Sequence, residues 1–188
     1  MLNVIVAYSK RRGIGLSNRL PWKLKADMRR FKELTIGRGN NAVIMGRTTW
    51  ESLPDRTRPL PLRKNVVVSS LMRGSLRDDC HVARSFQEAK QFCYGEKFDS
   101  IWIIGGGHLY REALTDPDVD GVYVTNICND FTCDTFFPDI SNDFYLNAFS
   151  WWKKEDQLDY RFEFYSPRSS FLKALDSQRH PSRILGVG

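Results

Sequence analysis

The chain has 188 residues, 41% of them hydrophobic and 13% aromatic, which supplies enough apolar surface for one folded domain and excludes a globally disordered chain. No apolar run approaches the roughly 20 residues of a membrane helix, and the first residues enter a strand-like run without a signal-peptide layout, so a soluble cytoplasmic protein is expected. The net charge of +6 favours anionic partners, among which a phosphorylated cofactor, a polycarboxylate substrate and nucleic acid all qualify.

In chain order, Leu2 to Tyr8 is a β-branched and aliphatic run that predicts a strand. A loop follows over Lys10 to Pro21, with Gly13 and Gly15 inside it. The next segment, Leu24 to Leu34, carries Leu24, Asp27, Met28, Phe31 and Leu34 at spacings of three and four, which predicts a helix with these residues on one face and Lys25, Arg29, Arg30 and Lys32 elsewhere. Asp27 is thus a carboxylate on an apolar stripe. Either it reaches solvent at the boundary, or it is buried, with a raised pKa suited to binding a polar heterocycle or handling a proton.

Strands at Ala42 to Met45 and Asn65 to Ser69 flank a short helix at Thr49 to Leu53 and a proline-bounded loop at Pro54 to Lys64. Ser85 and Glu88 form a capping box for a helix over Ser85 to Tyr94, with Gly95 as its stop. A strand at Ser100 to Ile104 runs into Gly105-Gly106-Gly107, and a helix is expected over His108 to Leu114. The glycines allow backbone N–H groups to approach an anion or a flat ring, although the run is neither a dinucleotide fingerprint nor a phosphate-binding Walker loop. After a strand at Gly121 to Ile127 and a loop at Asn129 to Asn142, two aromatic-rich antiparallel strands are expected at Asp143 to Ser150 and Tyr160 to Tyr165. The repeated strand, helix, strand order predicts an α/β fold with a mostly parallel sheet.

Donors recur at the predicted strand ends: Arg47, Thr48 and Thr49, then Ser69 and Ser70, then Arg84. Open α/β sheets gather ligands there, so a shared phosphate site is geometrically sensible. Cys80, Cys93, Cys128 and Cys133 show no C-x-x-C pair, and His81, His108 and His180 are not spaced as zinc ligands; reduced thiols and no metal site are expected.

Taken together, Ile5-Val6-Ala7, Gly13-Ile14-Gly15, Leu20-Pro21-Trp22 with Asp27 five residues on, Val43 to Ser52, Arg58-Pro59-Leu60, Ile104 to Gly107 with Tyr110, and Asp134 to Pro138 resemble the dihydrofolate reductase family over residues 1 to about 165. The resemblance implies an eight-stranded, mostly parallel sheet with an antiparallel C-terminal strand, and a monomer that reduces 7,8-dihydrofolate with NADPH and is open to antifolate inhibitors. It implies that Asp27 holds the pterin, with Trp22 and Leu20 beside it in the catalytic cleft. Ile5, Val6, Met28, Phe31, Leu53, Leu60, Ile104 and Thr125 would line the substrate pocket, and Arg63 would pair with the substrate's α-carboxylate.

On the cofactor side, the resemblance implies contacts from Ala7, Ile14, Gly15, Gly46, Arg47, Thr48 and Thr49, from Ser69, Ser70 and Arg84 near the 2'-phosphate, and from Gly105, Gly106, Gly107, His108, Leu109 and Tyr110. Gly105 and Gly106 match the family's cis peptide, and Asn126 stands where a basic residue is common. The reductase domain is expected over residues 1–168. Residues 169–188 form a basic extension outside the resemblance, since Ser166 to Gly188 carries +3 of the net charge.

Two other functions compete. A pyrimidine reductase of the related riboflavin-pathway fold would share the glycine turn but would not need Trp22, Asp27 and Arg63 together. A nucleic-acid-binding protein using the tail lacks an aromatic stacking platform over Ser169 to Gly188.

Overall fold

β-Branched residues dominate the buried strands, and glycines and polar residues separate them. A computed structural model describes residues 1–72 and 80–169. In chain order it contains β1 (Leu2–Tyr8), β2 (Gly13–Gly15), α1 (Lys25–Ile36), β3 (Asn41–Gly46), α2 (Arg47–Ser52), a 3-10 turn (Asp55–Thr57), β4 (Lys64–Val68), β5 (Cys80–Ala83), α3 (Phe86–Gly95), β6 (Ser100–Ile103), α4 (Gly107–Leu114), β7 (Val119–Ile127), β8 (Thr135–Phe136), β9 (Phe144–Phe149), β10 (Lys153–Glu155) and β11 (Leu158–Pro167).

Eight strands follow the order β10-β11-β7-β1-β6-β3-β4-β5, and β9 pairs with β11 as a further strand of the same sheet. The pairs from β7 across to β5 are parallel. The pairs that β11 makes with β7, β9 and β10 are antiparallel. The α/β class and mostly parallel sheet are as the sequence implies.

Alternation along β1 divides the interior. Leu2, Val4 and Val6 join one cluster with Phe86, Ile103, Leu109 and Tyr110. Ile5 joins Met45, Trp50, Leu60 and Trp102 in a second, to which Phe31, Leu53 and Ile104 add partly buried side chains. A period of two puts successive side chains on opposite faces, so two cores flank one sheet.

The glycine-bearing segment expected as a loop over Lys10 to Pro21 contains β2, and the segment over Asn129 to Asn142 contains β8. The two pair antiparallel, Gly13 with Phe136 and Gly15 with Thr135. A Cβ at Gly13 would lie 2.4 Å from Cys133 Sγ, so only glycine permits this approach. Leu16 and Arg19 exchange two backbone hydrogen bonds around Ser17 and Asn18, both at positive φ, closing a tight turn of the primed kind. The late strands number three, because the short charged β10 pairs with β11.

The Ser85 half of the capping box is formed as expected, its Oγ accepting from the Glu88 N–H at 3.1 Å, while the Glu88 carboxylate reaches one residue further back and accepts from the Arg84 N–H at 2.9 Å. By contrast, the Leu24 N-cap of α1 has no side-chain cap of its own. Glu155 from β10 takes that role, accepting from the Lys25 N–H at 2.6 Å and the Ala26 N–H at 3.0 Å, and so satisfies donors a helix start leaves open. All four cysteines are thiols. Among the described residues, no helix is long and apolar enough to cross a membrane. Residues 170–188, most of the basic extension, lie outside the described residues.

Candidate active site

Asp27 sits in the first turn of α1 and is 7% exposed. Burial raises its carboxyl above the ordinary range, opposed by the polar Thr125 hydroxyl on β7 and by the charge of Arg30. Arg30 was expected off the apolar face. Its guanidinium instead turns inward: Nη1 donates to the Val124 carbonyl at 3.0 Å, and the group packs 4.4 Å from the Phe162 ring centroid. The i to i+3 spacing from Asp27 was the only sequence signal for this placement.

Around Asp27, Trp22 is buried against Phe131, with ring centroids 5.4 Å apart, and its Nε1 has no hydrogen-bond partner among the described residues. Leu20 and Met28 are 47% and 48% exposed, apolar side chains left accessible in the same region of chain. Ile5, Phe31, Leu53, Leu60 and Ile104 lie in one apolar cluster, as a shared pocket lining requires. Val6 departs from that set. Its side chain belongs to the cluster on the other face of the sheet, because it is one residue along β1 from Ile5.

Arg63 is buried, and its fork is oriented by two bonds: Nη1 to Thr35 Oγ1 at 2.6 Å and Nε to the Pro61 carbonyl at 3.0 Å. Phe31 lies beneath it, 5.8 Å from the guanidinium carbon. Burial lowers its pKa, but a guanidinium remains charged at physiological pH.

The donors expected near a cofactor do converge along one edge. Gly46 pairs with Val68, and Val68 with Ala83, so Arg47, Ser69 and Arg84 follow the ends of three adjacent parallel strands. The glycine turn after β6 joins them, since the Gly46 N–H donates to the Gly105 carbonyl at 2.8 Å. The Gly105–Gly106 peptide is cis, and Gly105 has φ +116°, a region glycine enters freely. A Cβ on Gly106 would come within 3.3 Å of Thr49 Oγ1. Bare backbone therefore faces the Thr49 hydroxyl, a surface that fits a flat ring or a phosphate.

The side chains along this edge differ in what they leave free for a ligand. Leu109 and Tyr110 are buried in the core, with the Tyr110 hydroxyl donating to the Ile5 carbonyl at 2.8 Å, so a ligand would meet their backbone. Ser69 is buried, and its hydroxyl accepts from the Leu71 and Met72 N–H groups at 3.3 and 3.1 Å; it shapes a turn. Arg47 is half-buried and ion-paired with Glu51 at 2.8 Å. Thr48, Ser70, Arg84 and His108 are exposed. Ala7 and Ile14 are half-buried, and Gly15 is buried at the β2–β8 pairing. The basic partner missing at Asn126 is replaced across the strand: Arg161 Nε donates to Oε1 of the buried Glu163 at 2.5 Å, and Asn126 Nδ2 donates to the same oxygen at 2.9 Å.

A family model described as dihydrofolate reductase matches residues 1–168. The chain is 40% identical over 147 residues to the dihydrofolate reductase of Heliothis virescens, covering 74% of this chain and 80% of that protein. It is 42% identical over 150 residues to the Schistosoma mansoni dihydrofolate reductase, covering 76% and 80%. Over 182 residues it is 35% identical to the Mus musculus dihydrofolate reductase, covering 89% and 97%. With the parallel sheet, the buried carboxylate of α1 and the glycine turn after β6 already in place, the match identifies the chain as a member of the dihydrofolate reductase family.

Proposed function

We propose that this chain is an oxidoreductase that reduces 7,8-dihydrofolate to 5,6,7,8-tetrahydrofolate with NADPH, hydride passing to C6 of the pterin while N5 takes a proton. The observation that carries it is the buried Asp27 carboxylate, one helical turn before Phe31, which packs with Leu53, Leu60 and Ile104 in one apolar cluster. Few roles repay desolvating a carboxylate there except hydrogen bonding to a polar ring. Asp27 would accept from the pterin's 2-amino group and ring N–H, with Thr125 fixing the carboxylate's orientation. The Trp22 indole N–H offers a further donor through water.

Arg63, held by Thr35 and Pro61, would pair with the substrate's glutamate carboxylate. When bound, the nicotinamide cofactor supplies the hydride. The glycine turn and Thr49 would hold its pyrophosphate region together with Arg47 and Thr48, leaving Ser70 and Arg84 to meet a 2'-phosphate. The strapped turn at Leu16 and Arg19, carrying the exposed Leu20, would exclude water over the reacting rings. The reading extends to a cytoplasmic monomer whose residues 1–168 carry the whole site.

The test is absorbance-followed oxidation of NADPH by the purified chain with dihydrofolate, repeated with NADH. Dihydrofolate-dependent turnover with at least about tenfold higher kcat/KM for NADPH is expected, since one charge-assisted contact to the extra phosphate contributes about 1.5–3 kcal/mol. Equal efficiency with both cofactors would remove Arg84 and Ser70 from the site, and absence of turnover would remove the activity.

A further inference from the structure

Asn65, the second residue of β4, is fully buried, and the equally buried Val66 and Val67 follow it. A primary amide in such a strand is costly unless its hydrogen bonds are made. Among the described residues, those bonds all go to the loop just before the strand. Asn65 Oδ1 accepts from the Leu60 N–H at 2.9 Å, and Nδ2 donates to the Leu60 carbonyl and the Arg63 carbonyl, both at 2.9 Å. An amide has two N–H donors and one acceptor oxygen, so both donors are used and one side chain closes both ends of the 60–63 segment.

That segment carries two groups of the proposed site. Leu60 lies in the apolar cluster with Phe31, Leu53 and Ile104, and Arg63 follows three residues on. Between them, the Pro61 carbonyl accepts from Arg63 Nε at 3.0 Å, so a backbone oxygen whose place depends on the segment's ends orients the guanidinium. Leu62 has φ +62° and a side chain 69% exposed. The left-handed region is unfavourable for a bulky residue and persists only where the surroundings hold it; a side chain mostly in solvent contributes little to that hold, and the Asn65 bonds on either side supply it. Thr35, which accepts from Arg63 Nη1 at 2.6 Å, is fixed separately, its carbonyl accepting from Asn41 Nδ2 at 3.1 Å. The loop is the half of the Arg63 cradle that depends on Asn65.

We infer that Asn65 is a positioning residue for the substrate's carboxylate anchor: its buried amide fixes the 60–63 loop and thereby aims the Arg63 guanidinium. The inference rests on Arg63 pairing with the α-carboxylate of the substrate's glutamate. A bidentate pair is sensitive to aim, because two parallel N–H···O bonds must form together. A loop released from Asn65 keeps the charge of Arg63 but loses the orientation of its planar fork. The consequence is selective: a ligand with that carboxylate loses affinity, and an otherwise identical ligand without it does not.

The experiment titrates the tryptophan fluorescence of the full chain with folate and with folate α-carboxamide, in which only the α-carboxylate is blocked. The parent should bind folate more tightly than the amide. In Asn65→Ser, too short to span the loop, the folate Kd should rise about five- to tenfold and the α-carboxamide Kd by less than about twofold. Asn65→Val continues the valine run, removes all three bonds and supplies a second variant should serine not fold. In steady-state turnover the loss should fall on the dihydrofolate KM, with kcat within about twofold of the parent. In the ligand-free variant, the Arg63 Nε–H resonance, assigned by its loss in Arg63→Lys, should exchange with water at least about tenfold faster. Equal losses for the two ligands in a folded variant, or an unchanged folate Kd, would overturn the inference. A parent that binds both ligands equally would instead refute the anchor reading of Arg63, and the inference with it.

Discussion

Replacing Asp27 by Asn changes one atom of a side chain that is 7% exposed, so shape and packing are nearly conserved and the charge is the variable. In the proposed complex the carboxylate accepts from two N–H donors of the pterin. A hydrogen bond to a charged group contributes about 1.5–3 kcal/mol and a neutral one about 0.5–1.5, so neutralising two costs about 2–3 kcal/mol. An amide also turns a donor toward one of the pterin donors, which brings the loss to about 3–4 kcal/mol and kcat/KM down roughly 10²- to 10³-fold near neutral pH. Turnover should recover as pH falls, because the variant depends on substrate protonated in solution. Kinetics across pH with dihydrofolate measure this directly, and neutral-pH efficiency within about threefold of the parent would refute the reasoning.

The same variant should move stability the other way. Burial raises the folded carboxyl above its ordinary value, and Thr125 and Arg30 only oppose that effect. The folded state thus binds more protons than the unfolded one, and stability is lost as pH rises from the unfolded pKa of about 3.9 through the folded value. Asp27→Asn should melt higher than the parent at neutral pH, with the gain vanishing in acid. Identical melts at both pH values would show that Thr125 and Arg30 cancel the burial cost.

Arg63→Lys retains charge but loses the planar fork held by Thr35 and Pro61; folate affinity by fluorescence titration should fall about tenfold with NADPH affinity unchanged. Glu155→Ala removes the acceptor for the Lys25 and Ala26 N–H groups and should cost about 1–2 kcal/mol, a loss of roughly 2–8 °C in Tm. Truncation after Arg168 should leave kcat and KM within about twofold, because the proposed site residues all precede it; a tenfold loss would assign the extension a part in the site.

Legibility followed the strength of local signals. Mainly apolar runs such as Leu2–Tyr8 and Gly121–Ile127 declare themselves because both faces of an interior strand are covered. Ser85 and Glu88 announce a helix start within four residues. Asp27 was visible as a charge on a stripe. Nothing local marks β2 and β8, which have three residues and two and exist through pairing across more than a hundred positions. β5 was hidden by its short, mixed Cys80–Ala83 composition. The Glu155 cap and the Arg30 contacts with β7 and β11 are tertiary, and helical periodicity placed Arg30 on the wrong side because a long stem can fold back over its own helix.

The proposed reaction is tested most directly by tracing the transferred hydrogen. With NADPH carrying deuterium at both C4 positions, mass and NMR analysis of the product formed from dihydrofolate should find one deuterium, at C6 of tetrahydrofolate, and none at N5 after exchange with water. Tetrahydrofolate formed without deuterium at C6, or cofactor oxidised with no change in dihydrofolate, would contradict hydride transfer in this site.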